Sequence, residues 1–328
     1  MRAIVHDRFG PAEVLHLAEV PLPVVRPTDL LVRVGAAGVN RADILQRDGF
    51  YAGQHFGESD LLGLELAGDV VATGADVTNF APGDRVMAIV GGGAYAEYAR
   101  VDRSMAVRIP DDLSINDAAA IMESFVTAVE AIHHLAGLRK GRSVLIHAAA
   151  GGIGSACVQL AAALGLKVLA TCSADRAEDV RRIGANIVFD RRSGDWQNGV
   201  HAACDQGVDA VIDFVGGAFL GPNLRCLRPG GTLVQVGILS GEAEAAIPLN
   251  LLLHNHLRIQ GTVMKSRTAE EKRAMVRRFE EVAMPLFRQG RLRPLVHAVL
   301  PLTAAAEAHR MMERGGILGK IILITSET

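Results

Sequence analysis

The stretch of residues 143–154, SVLIHAAAGGIG, decides the fold of this 328-residue chain. Its apolar first half predicts a buried β-strand, and the alanine-rich residues 152–164 predict a helix directly after it. In a GxGxxG pattern, the second glycine lets the backbone approach a phosphate and the third lets the helix pack tightly on the strand. Gly151 and Gly154 fill these two positions, whereas Ala149 replaces the first glycine. The pattern therefore predicts a dinucleotide-binding turn.

The predicted phosphate site is the N-terminus of that helix. The backbone N–H groups of Gly151, Gly152 and Ile153 would face the diphosphate. The first N–H groups of a helix have no intrahelical acceptor, and the helix dipole favours an anion there. Glycine-rich turns also serve plain packing, and for the turn alone this alternative stays open. The order of strand, turn, helix and second strand favours the dinucleotide.

The residues around this turn alternate between strand and helix patterns. Such alternation is typical of an α/β fold in which helices cover both faces of a parallel sheet, the doubly wound or Rossmann arrangement. The predicted strands are 143–148, 167–172, 187–190, 208–215, 232–237 and 257–263. The predicted helices are 118–135, with an N-cap at Ser114 or Asn116, and 152–164, 175–183 and 218–227.

The chain on either side of this region has a different character. Short apolar runs separated by turns predict a β-rich domain before it, with strands at 30–35, 66–73 and 85–90. A long charged helix over 269–289 and a strand over 320–324 are predicted after it. We therefore divide the chain into a β-rich catalytic domain at 1–122, a Rossmann domain at 123–262 and a C-terminal part at 263–328 that completes the catalytic domain.

The residues after the second and third predicted strands bear on the choice of coenzyme. An NAD site usually has Asp or Glu at the end of the second strand, where it binds the ribose 2′-hydroxyl. Here that position offers Ser173, with Arg176 shortly after it, and Arg191 and Arg192 follow the third strand. A guanidinium group suits a 2′-phosphate, so the sequence predicts NADPH. Asp175 argues against this, but we interpret it as a first-turn helix residue. A solvated helix face stays open as the alternative role of the arginines.

The bulk composition excludes several classes of function. The 34 basic and 36 acidic residues give a net charge of −2, so the charge does not favour nucleic acid or an anionic membrane as a partner. The N-terminus lacks the apolar run of a signal peptide, and the apolar stretches are too short for a membrane span. The 4 scattered cysteines are typical of thiols in a reducing cytoplasm, where we expect the protein.

Further motifs carry a resemblance to a known family. They are GVNRADILQR (38–47), LGLELAG (62–68), PGDRV (82–86) and AAAIMESFVTA (118–128), with matching tail segments at 270–277, 285–293, 304–312 and 319–323. Together with the glycine turn they resemble the zinc-independent quinone oxidoreductases of the medium-chain dehydrogenase/reductase superfamily, closest to the p53-inducible type. The resemblance spans nearly the whole chain. It implies a GroES-like catalytic domain built from both chain ends, bound NADPH, and a homodimer or homotetramer.

The metal chemistry of this superfamily can be compared residue by residue. Its zinc alcohol dehydrogenases carry Cys where this chain has Asn40 and His where it has Leu64, and neither an amide nor an isobutyl group replaces those ligands. We therefore predict no metal. Without a Lewis acid, acceptors that spread charge by conjugation become the expected substrates, namely quinones and α,β-unsaturated carbonyls.

The resemblance also implies catalytic residues. Tyr51, Asn40 and Asp43 would line a cleft between the domains, with Tyr51 hydrogen-bonding or protonating the reduced oxygen. Each has an alternative role: Tyr51 as a packing residue, Asn40 as the cap of the following helix, and Asp43 as a structural residue. Glu65 and Glu123 are expected in buried structural ion pairs. The loop after Tyr51 lacks the prolines that family members often have, so we expect a different acceptor pocket.

Further coenzyme contacts follow from the fold that the resemblance implies. Thr127 would begin the helix under the nicotinamide ribose, and Lys320 matches a family position near the coenzyme. The remaining predicted contacts are Gly237 and Ile238 at the end of the fifth strand, and Thr262 and Val263 at the end of the sixth.

Three functions are compatible with these residues. The first is an NADPH:quinone reductase that works by hydride or electron transfer, and the second is a 2-enoyl or alkenal double-bond reductase. The third is an NADPH-binding protein with a structural, sensing or RNA-binding role and little turnover, although the near-neutral charge argues against RNA. We expect the first.

Overall fold

The computed structural model describes residues 1–50 and 59–325. The chain forms two compact units, which we call the β-rich unit and the Rossmann unit. The β-rich unit consists of Met1–Glu123, Thr268–Val276 and Pro294–Thr328, and the Rossmann unit of Ser124–Arg267 and Arg277–Arg293. Residues 277–293 therefore group with the Rossmann unit, whereas the sequence prediction assigned them to the catalytic domain.

The elements are numbered in chain order. The strands are β1 (Arg2–Val5), β2 (His16–Glu19), β3 (Asp29–Gly38), β4 (Glu65–Thr73), β5 (Arg85–Ile89), β6 (Tyr98–Asp102), β7 (Ala106–Arg108), β8 (Ser143–Ile146), β9 (Lys167–Cys172), β10 (Ile187–Asp190), β11 (Val208–Asp213), β12 (Leu227–Gln235), β13 (Arg258–Gly261), β14 (Val296–Pro301) and β15 (Lys320–Ile324). The α-helices are α1 (Arg41–Arg47), α2 (Ile115–Ala118), α3 (Met122–Ala128), α4 (Gly152–Ala163), α5 (Ala177–Arg182), α6 (Trp196–Ala203), α7 (Leu220–Cys226), α8 (Leu249–His254), α9 (Ala269–Val282), α10 (Met284–Arg288) and α11 (Ala305–Arg314). Short 3-10 helices cover Ala12–Val14, Arg103–Met105, Ala174–Arg176, Gly217–Phe219 and Leu302–Ala304, and a π-helix covers Val129–Leu135.

The Rossmann unit is built on a sheet of six parallel strands in the order β10-β9-β8-β11-β12-β13. Numbered within the unit, this is the order 3-2-1-4-5-6 of doubly wound dinucleotide-binding folds, so the predicted fold class is confirmed. All four residues of β8 are buried, as expected for the central strand of a sheet covered on both faces. The strand order reverses at β8, which places the glycine turn at the switch point of the sheet, where ligands bind in such folds.

The β-rich unit contains a seven-stranded sheet, in which β14, β15, β3, β4, β5 and β7 follow in this order and β6 pairs with β3. Neighbouring strands are antiparallel, apart from the parallel pair β14 and β15. Leu30, Val32 and Val34 alternate along β3 and belong to a buried core that also contains Leu66 and Leu323. Strands from both ends of the chain therefore share one core.

The prediction of one helix over 118–135 was wrong. The helix α2 does begin after Ser114, whose hydroxyl accepts a hydrogen bond from the Asp117 N–H at 3.0 Å. A turn then separates it from α3, because the Glu123 N–H donates to the Glu65 carboxylate at 2.9 Å instead of to a helical carbonyl. The last part is the π-helix, a rare form that is frequent at functional sites.

The prediction of one helix over 269–289 was also wrong in its continuity. The structure has α9 up to Val282 and a separate α10 from Met284, with Pro285 in the first turn of α10. Proline has no N–H and clashes with the preceding turn, so it is tolerated at a helix start and interrupts a helix interior.

Among the helices of residues 1–50 and 59–325, none combines the length and the apolar character that a membrane-spanning helix needs.

Candidate functional site

The glycine turn has the geometry that close packing of helix on strand requires. Gly151 is the N-cap of α4, in an extended conformation, and its N–H donates to the Ala148 carbonyl at 3.0 Å. A β-carbon on Gly154 would lie 2.2 Å from the same carbonyl oxygen, well inside any tolerable contact. Only glycine fits at position 154, because any larger residue would move the turn away from the helix.

Gly151 itself has a different environment. A β-carbon there would meet only the Ala148 carbonyl oxygen, at 3.4 Å, which is an ordinary contact. The protein's own packing therefore does not require glycine at this position, whereas a ligand that approaches the backbone would. The N–H groups of Gly152 and Ile153 start α4 and have no intrahelical acceptor. The turn thus fits a diphosphate group.

The strand ends beside the turn bring one predicted arginine next to Ser173. The Arg191 N–H donates to the carbonyl of Cys172, the last residue of β9, at 2.8 Å. Arg191 is exposed, and within the described part of the chain its guanidinium group forms no hydrogen bond or ion pair. Arg192 follows it, and its charge acts on Asp175, which shows that these two side chains lie near each other. Two cationic side chains therefore stand near the end of β9, where the sequence predicts the adenosine end of the coenzyme.

The other predicted arginine is engaged locally. The Arg176 guanidinium lies 3.7 Å from the Asp175 carboxylate and 3.4 Å from that of Asp179. A hydrogen bond from the Ser173 hydroxyl holds the pKa of Asp175 below its usual range. Asp175 and Arg176 lie in a 3-10 turn that precedes α5, so the predicted helix begins later than expected. Ser173, Asp175 and Arg176 thus interact with one another in this structure.

The ends of β12 and β13 carry the residues predicted to meet the nicotinamide. These two strands are neighbours, and the Thr262 N–H donates to the Gln235 carbonyl at 2.9 Å. Gly237 accepts a 2.7 Å hydrogen bond from the Gln235 amide through its carbonyl. Ile238 and Val263 are about half exposed, at 51% and 48%. The structure brings these predicted residues together at the carboxyl edge of the sheet.

Thr127 lies in α3 and is almost fully buried. No described contact joins its side chain to another predicted coenzyme residue, so its role stays a prediction. Tyr51, the predicted proton donor, lies outside the described residues, as does most of the loop that follows it.

A chain of buried polar side chains beneath the turn was not predicted from the sequence. His147 contacts Thr171 and Asn223, and Asn223 contacts Asp213. The only signal was the presence of Thr171 and Asp213 in otherwise apolar strands. A polar group is costly in such a place unless it has a hydrogen-bonding partner.

In the β-rich unit, Asn40 and Lys320 belong to one buried polar cluster. The Lys320 ammonium donates to the Val39 carbonyl at 2.8 Å and to the Asn40 side-chain oxygen at 2.6 Å, and it pairs with Glu65 at 2.7 Å. The Asn40 amide group donates to Glu65 at 3.0 Å. An ammonium group has three donors, and these three acceptors use all of them. Glu65 therefore forms the buried ion pair that was expected of it, with Glu123 donating to it through its backbone.

Asp43 is fully buried next to this cluster. Its carboxylate accepts hydrogen bonds from the Asn40 N–H at 2.8 Å, the Gly63 N–H at 3.2 Å and the Tyr95 hydroxyl at 3.1 Å. Burial raises the pKa of Asp43 to about 6, although these three donors oppose the shift. Asn40 is the N-cap residue of α1 and Asp43 lies in its first turn. The arrangement supports the alternative roles, Asn40 as a cap and Asp43 as a structural residue, while their catalytic roles stay predictions.

The hydrogen-bonded chain continues from Asp43 into α11. Tyr95 lies 3.3 Å from His309, and Arg47 lies 3.4 Å from the other ring nitrogen of that histidine. All three side chains are buried. Burial lowers the pKa of His309 to about 3, so the ring is neutral near neutral pH. These residues pack helices together and were not singled out in the sequence.

The donor set for a metal is poor in the described residues. Asn40 and Leu64 occupy the two positions where zinc enzymes of the superfamily hold ligands, and both are buried. In the parts of the chain that the structure describes, no three His, Cys, Asp or Glu side chains are grouped so that they could hold a metal ion.

Two family models match the chain in the regions just described. One, described as "Alcohol dehydrogenase GroES-like domain", matches residues 26–111, within the β-rich unit. The other, described as "Zinc-binding dehydrogenase", matches residues 152–281, from the glycine turn to α9. The two matches assign the β-rich sheet to the GroES-like type that the sequence implied.

Relatives align over almost the full chain. A quinone oxidoreductase of Sus scrofa is 33% identical over 99% of this chain and 98% of its own length. A synaptic vesicle membrane protein VAT-1 homolog-like protein of Mus musculus is 31% identical over 100% of this chain and 82% of its own length.

Solved structures of similar fold differ in their coenzymes. The quinone oxidoreductase of Coxiella burnetii superposes with a TM-score of 0.82 at 30% identity, covering 99% of both chains. A mycobacterial protein solved in complex with NADPH gives a TM-score of 0.87 at 29% identity, covering 99% of this chain and 100% of its own. A protein described as an NAD-dependent alcohol dehydrogenase gives 0.87 at 30% identity, with the same coverage.

Proposed function

The chain belongs to the quinone oxidoreductases of the medium-chain dehydrogenase/reductase superfamily, and we propose that it reduces quinones with NADPH and without a metal ion. The observation that carries the proposal is the turn at Gly151 and Gly154. Gly154 fixes the turn on the helix, and Gly151 leaves the backbone open to a diphosphate. A nicotinamide coenzyme is the group that this fold binds at such a turn.

The residues present fit the coenzyme along the carboxyl edge of the sheet. The N–H groups of Gly151, Gly152 and Ile153 would hold the diphosphate, with the N-terminus of α4 supplying a favourable dipole. Backbone groups at Gly237 and Thr262 would orient the nicotinamide. NADPH, when bound, supplies the hydride, and the protein's part is to hold that ring and to exclude water.

The choice of NADPH over NADH rests on the exposed guanidinium groups of Arg191 and Arg192, which would lie at the adenosine end. Arg191 and Arg192 are exposed beside the end of β9, and the position where an NAD enzyme has an acidic residue is Ser173. Arg176 contributes less, because Asp175 and Asp179 already neutralise it. We therefore assign the 2′-phosphate to Arg191 and Arg192.

The double variant Arg191→Ala/Arg192→Ala tests this assignment. We expect its Kd for NADPH to rise about 100-fold or more, since each of the two lost hydrogen bonds to a charged group contributes roughly 1.5–3 kcal/mol. Its Kd for NADH should change less than about threefold, because NADH has no 2′-phosphate. Isothermal titration calorimetry measures both values. Arg182→Ala is the matched control, an exposed arginine on α5 whose partner is Asp179. Equal losses for the two coenzymes would remove the assignment.

The acceptor follows from the absence of zinc ligands at Asn40 and Leu64. A Lewis acid would otherwise stabilise the charge that develops on a simple carbonyl oxygen. A conjugated acceptor needs less of this help, because it spreads the charge over its own π-system. Quinones meet this requirement, and so do α,β-unsaturated carbonyls, which define the alternative function as an enone or alkenal reductase.

A panel of acceptors separates the candidate functions. NADPH consumption is followed by absorbance with benzoquinones, naphthoquinones, 2-enoyl thioesters and 2-alkenals, after elemental analysis of the purified protein for zinc. We expect turnover with quinones that exceeds turnover with enones by about tenfold in kcat/KM, and less than stoichiometric zinc. Faster reduction of enones would favour the alternative. Tight NADPH binding without turnover on any member of the panel would favour a binding protein instead.

A further inference from the structure

Four buried polar side chains form a continuous hydrogen-bonded chain directly under the glycine turn, and we call it the sub-turn chain. Thr171 lies on β9, His147 follows β8, Asn223 lies on α7 and Asp213 ends β11. Each side chain is no more than 1% exposed. The distances along the chain are 2.8 Å from Thr171 to His147, 2.7 Å from His147 to Asn223, and 2.9 Å from Asn223 to Asp213. The chain thus joins the ends of three neighbouring strands, β9, β8 and β11, and the helix α7.

The donors and acceptors fix the protonation of the histidine ring. The Asp213 carboxylate accepts from the Asn223 amide nitrogen, so the Asn223 oxygen is the atom that faces His147. That oxygen requires a donor, which places the ring proton on Nε2 of His147. The Nδ1 atom then accepts from the Thr171 hydroxyl. Every polar atom of the neutral ring therefore has a complementary partner.

The surroundings keep this ring neutral and dry. Trp196 and Phe219 pack edge-on against it, with ring centroids 5.0 and 5.1 Å away, and stack on each other at 5.6 Å. Burial lowers the pKa of His147, while the negative charge of Asp213 opposes the shift. The described partners of the ring, Thr171, Trp196, Phe219 and Asn223, are all uncharged. A ring locked in this way holds one orientation.

At its far end the sub-turn chain shapes the backbone where the nicotinamide contacts were predicted. The Asp213 carboxylate accepts from the N–H groups of Val215, at 2.7 Å, and Gly216, at 3.2 Å. The carbonyls of Phe214 and Val215 in turn accept from Leu239 and Ser240, at 2.9 and 3.0 Å. Leu239 and Ser240, which directly follow the predicted contacts Gly237 and Ile238, are therefore hydrogen-bonded to a turn whose shape the carboxylate sets.

We propose that His147 is a positioning residue that holds the two halves of the coenzyme site in register. Its backbone begins the glycine turn, which would bind the diphosphate, and its ring connects through Asn223 and Asp213 to the segment that would orient the nicotinamide. The inference rests on the proposed function, because it takes the turn to be the coenzyme site. It predicts that a change in the ring weakens the binding of a ligand that occupies both halves of the site. The binding of a ligand that lacks the nicotinamide should not change.

The variant His147→Phe tests the register, because it keeps an aromatic ring of similar shape and removes both hydrogen bonds. We expect its Kd for NADPH to rise about tenfold, while its Kd for 2′-phospho-ADP-ribose, which lacks the nicotinamide, stays within about twofold of the wild type. We also expect kcat with a quinone to fall about 10- to 100-fold at little change in KM, since a misplacement on the order of 1 Å has effects of that size. A purely structural role would weaken both ligands equally.

Ser143→Ala is the matched control. Ser143 is a buried polar residue at the opposite end of β8, hydrogen-bonded to Asp209 at 2.9 Å. The Ser143→Ala variant should have a lower melting temperature, but its Kd values for NADPH and 2′-phospho-ADP-ribose should change by the same factor. The milder variant Thr171→Val, which removes only the donor to Nδ1, gives the same comparison if His147→Phe does not fold. The ¹⁵N chemical shifts of the wild-type ring must show the neutral Nε2–H form.

The outcomes distinguish this inference from the proposed function. If the wild type binds neither NADPH nor 2′-phospho-ADP-ribose, the proposed function fails. If the wild type binds both ligands, two results overturn the positioning role of His147 and leave the proposed function standing. The first is that the variants lose affinity for both ligands alike or for neither. The second is that the wild-type ring carries its proton on Nδ1.

Discussion

Replacing Lys320 by methionine is expected to lower the free energy of unfolding by about 3–5 kcal/mol, because it leaves the buried Glu65 carboxylate without its cation. Glu65 is fully buried, and its partners besides Lys320 are neutral donors, the Asn40 amide and the Glu123 N–H. The variant also leaves the Asn40 side-chain oxygen and the Val39 carbonyl without the donor they share. Denaturation by urea with a circular dichroism readout measures the loss.

The double variant Lys320→Met/Glu65→Gln is the control for this prediction. Removing both charges should cost less than the sum of the two single changes, with a coupling energy of about 0.5–3 kcal/mol. The measurement also decides the role of Lys320. If Lys320→Met keeps full stability and loses only its affinity for NADPH, the residue is the coenzyme contact that the family resemblance implied and the buried cluster is unimportant.

The Rossmann half of the fold could be predicted because its signals are local. A strand, a glycine turn and an alanine-rich helix follow one another within residues 143–164, and each part of the pattern has a direct physical reason. The alternation after it predicted six strands, and the structure has all six in one parallel sheet. The limits of the predicted elements moved by a few residues, as the later start of α5 illustrates, and the helices α6 and α8 were not predicted.

One of the two helix errors arose where a distant residue decides local structure. The helix predicted over 118–135 is interrupted because Glu65, far away in sequence, accepts the hydrogen bond of the Glu123 N–H. Periodicity cannot reveal such a contact. The proline that separates α9 from α10 was visible in the sequence, and its effect on a helix interior should have divided that prediction.

The coenzyme residues show the same division between local and distant information. In the sequence, Arg176 and Arg191 were equivalent candidates for the 2′-phosphate. The structure distinguishes them, because Arg176 pairs with Asp175 and Asp179, whereas the Arg191 guanidinium forms no ion pair within the described residues. The sub-turn chain was out of reach for a related reason: its four members come from four separate elements, and only their assembly explains each one.

The position of Asn40 shows how one substitution changes the chemistry of a site. The family resemblance implies a zinc-binding cysteine at this position in the zinc enzymes of the superfamily. Here the asparagine oxygen is one of three acceptors of the Lys320 ammonium, and its amide nitrogen is a donor to Glu65. The side chain therefore completes a cluster that balances one positive and one negative charge. A thiolate there would add a second negative charge, which the single Lys320 ammonium could not balance.

Replacing Gly154 by alanine is expected to abolish coenzyme binding, with a rise of about 100-fold or more in the Kd for NADPH. The new β-carbon would lie 2.2 Å from the Ala148 carbonyl oxygen and 2.9 Å from the Ala149 α-carbon, so the turn must move. A shifted turn loses at least two N–H contacts to the diphosphate, each worth roughly 1.5–3 kcal/mol. The overpacking should also lower the free energy of unfolding by about 1–3 kcal/mol. Calorimetric titration and urea denaturation measure the two effects.

Gly151→Ala separates coenzyme binding from packing, and Gly221→Ala serves as the neutral control. At Gly151 the added carbon meets nothing closer than 3.4 Å, so the protein should keep its stability and lose affinity only because the coenzyme can no longer approach. At Gly221, within α7, the nearest atom is the end of the Arg225 side chain at 3.7 Å, and alanine should raise the stability by up to about 1 kcal/mol with unchanged binding. Gly154→Ala with wild-type affinity for NADPH would mean that the turn does not receive the diphosphate, because the backbone shift at that position cannot be avoided.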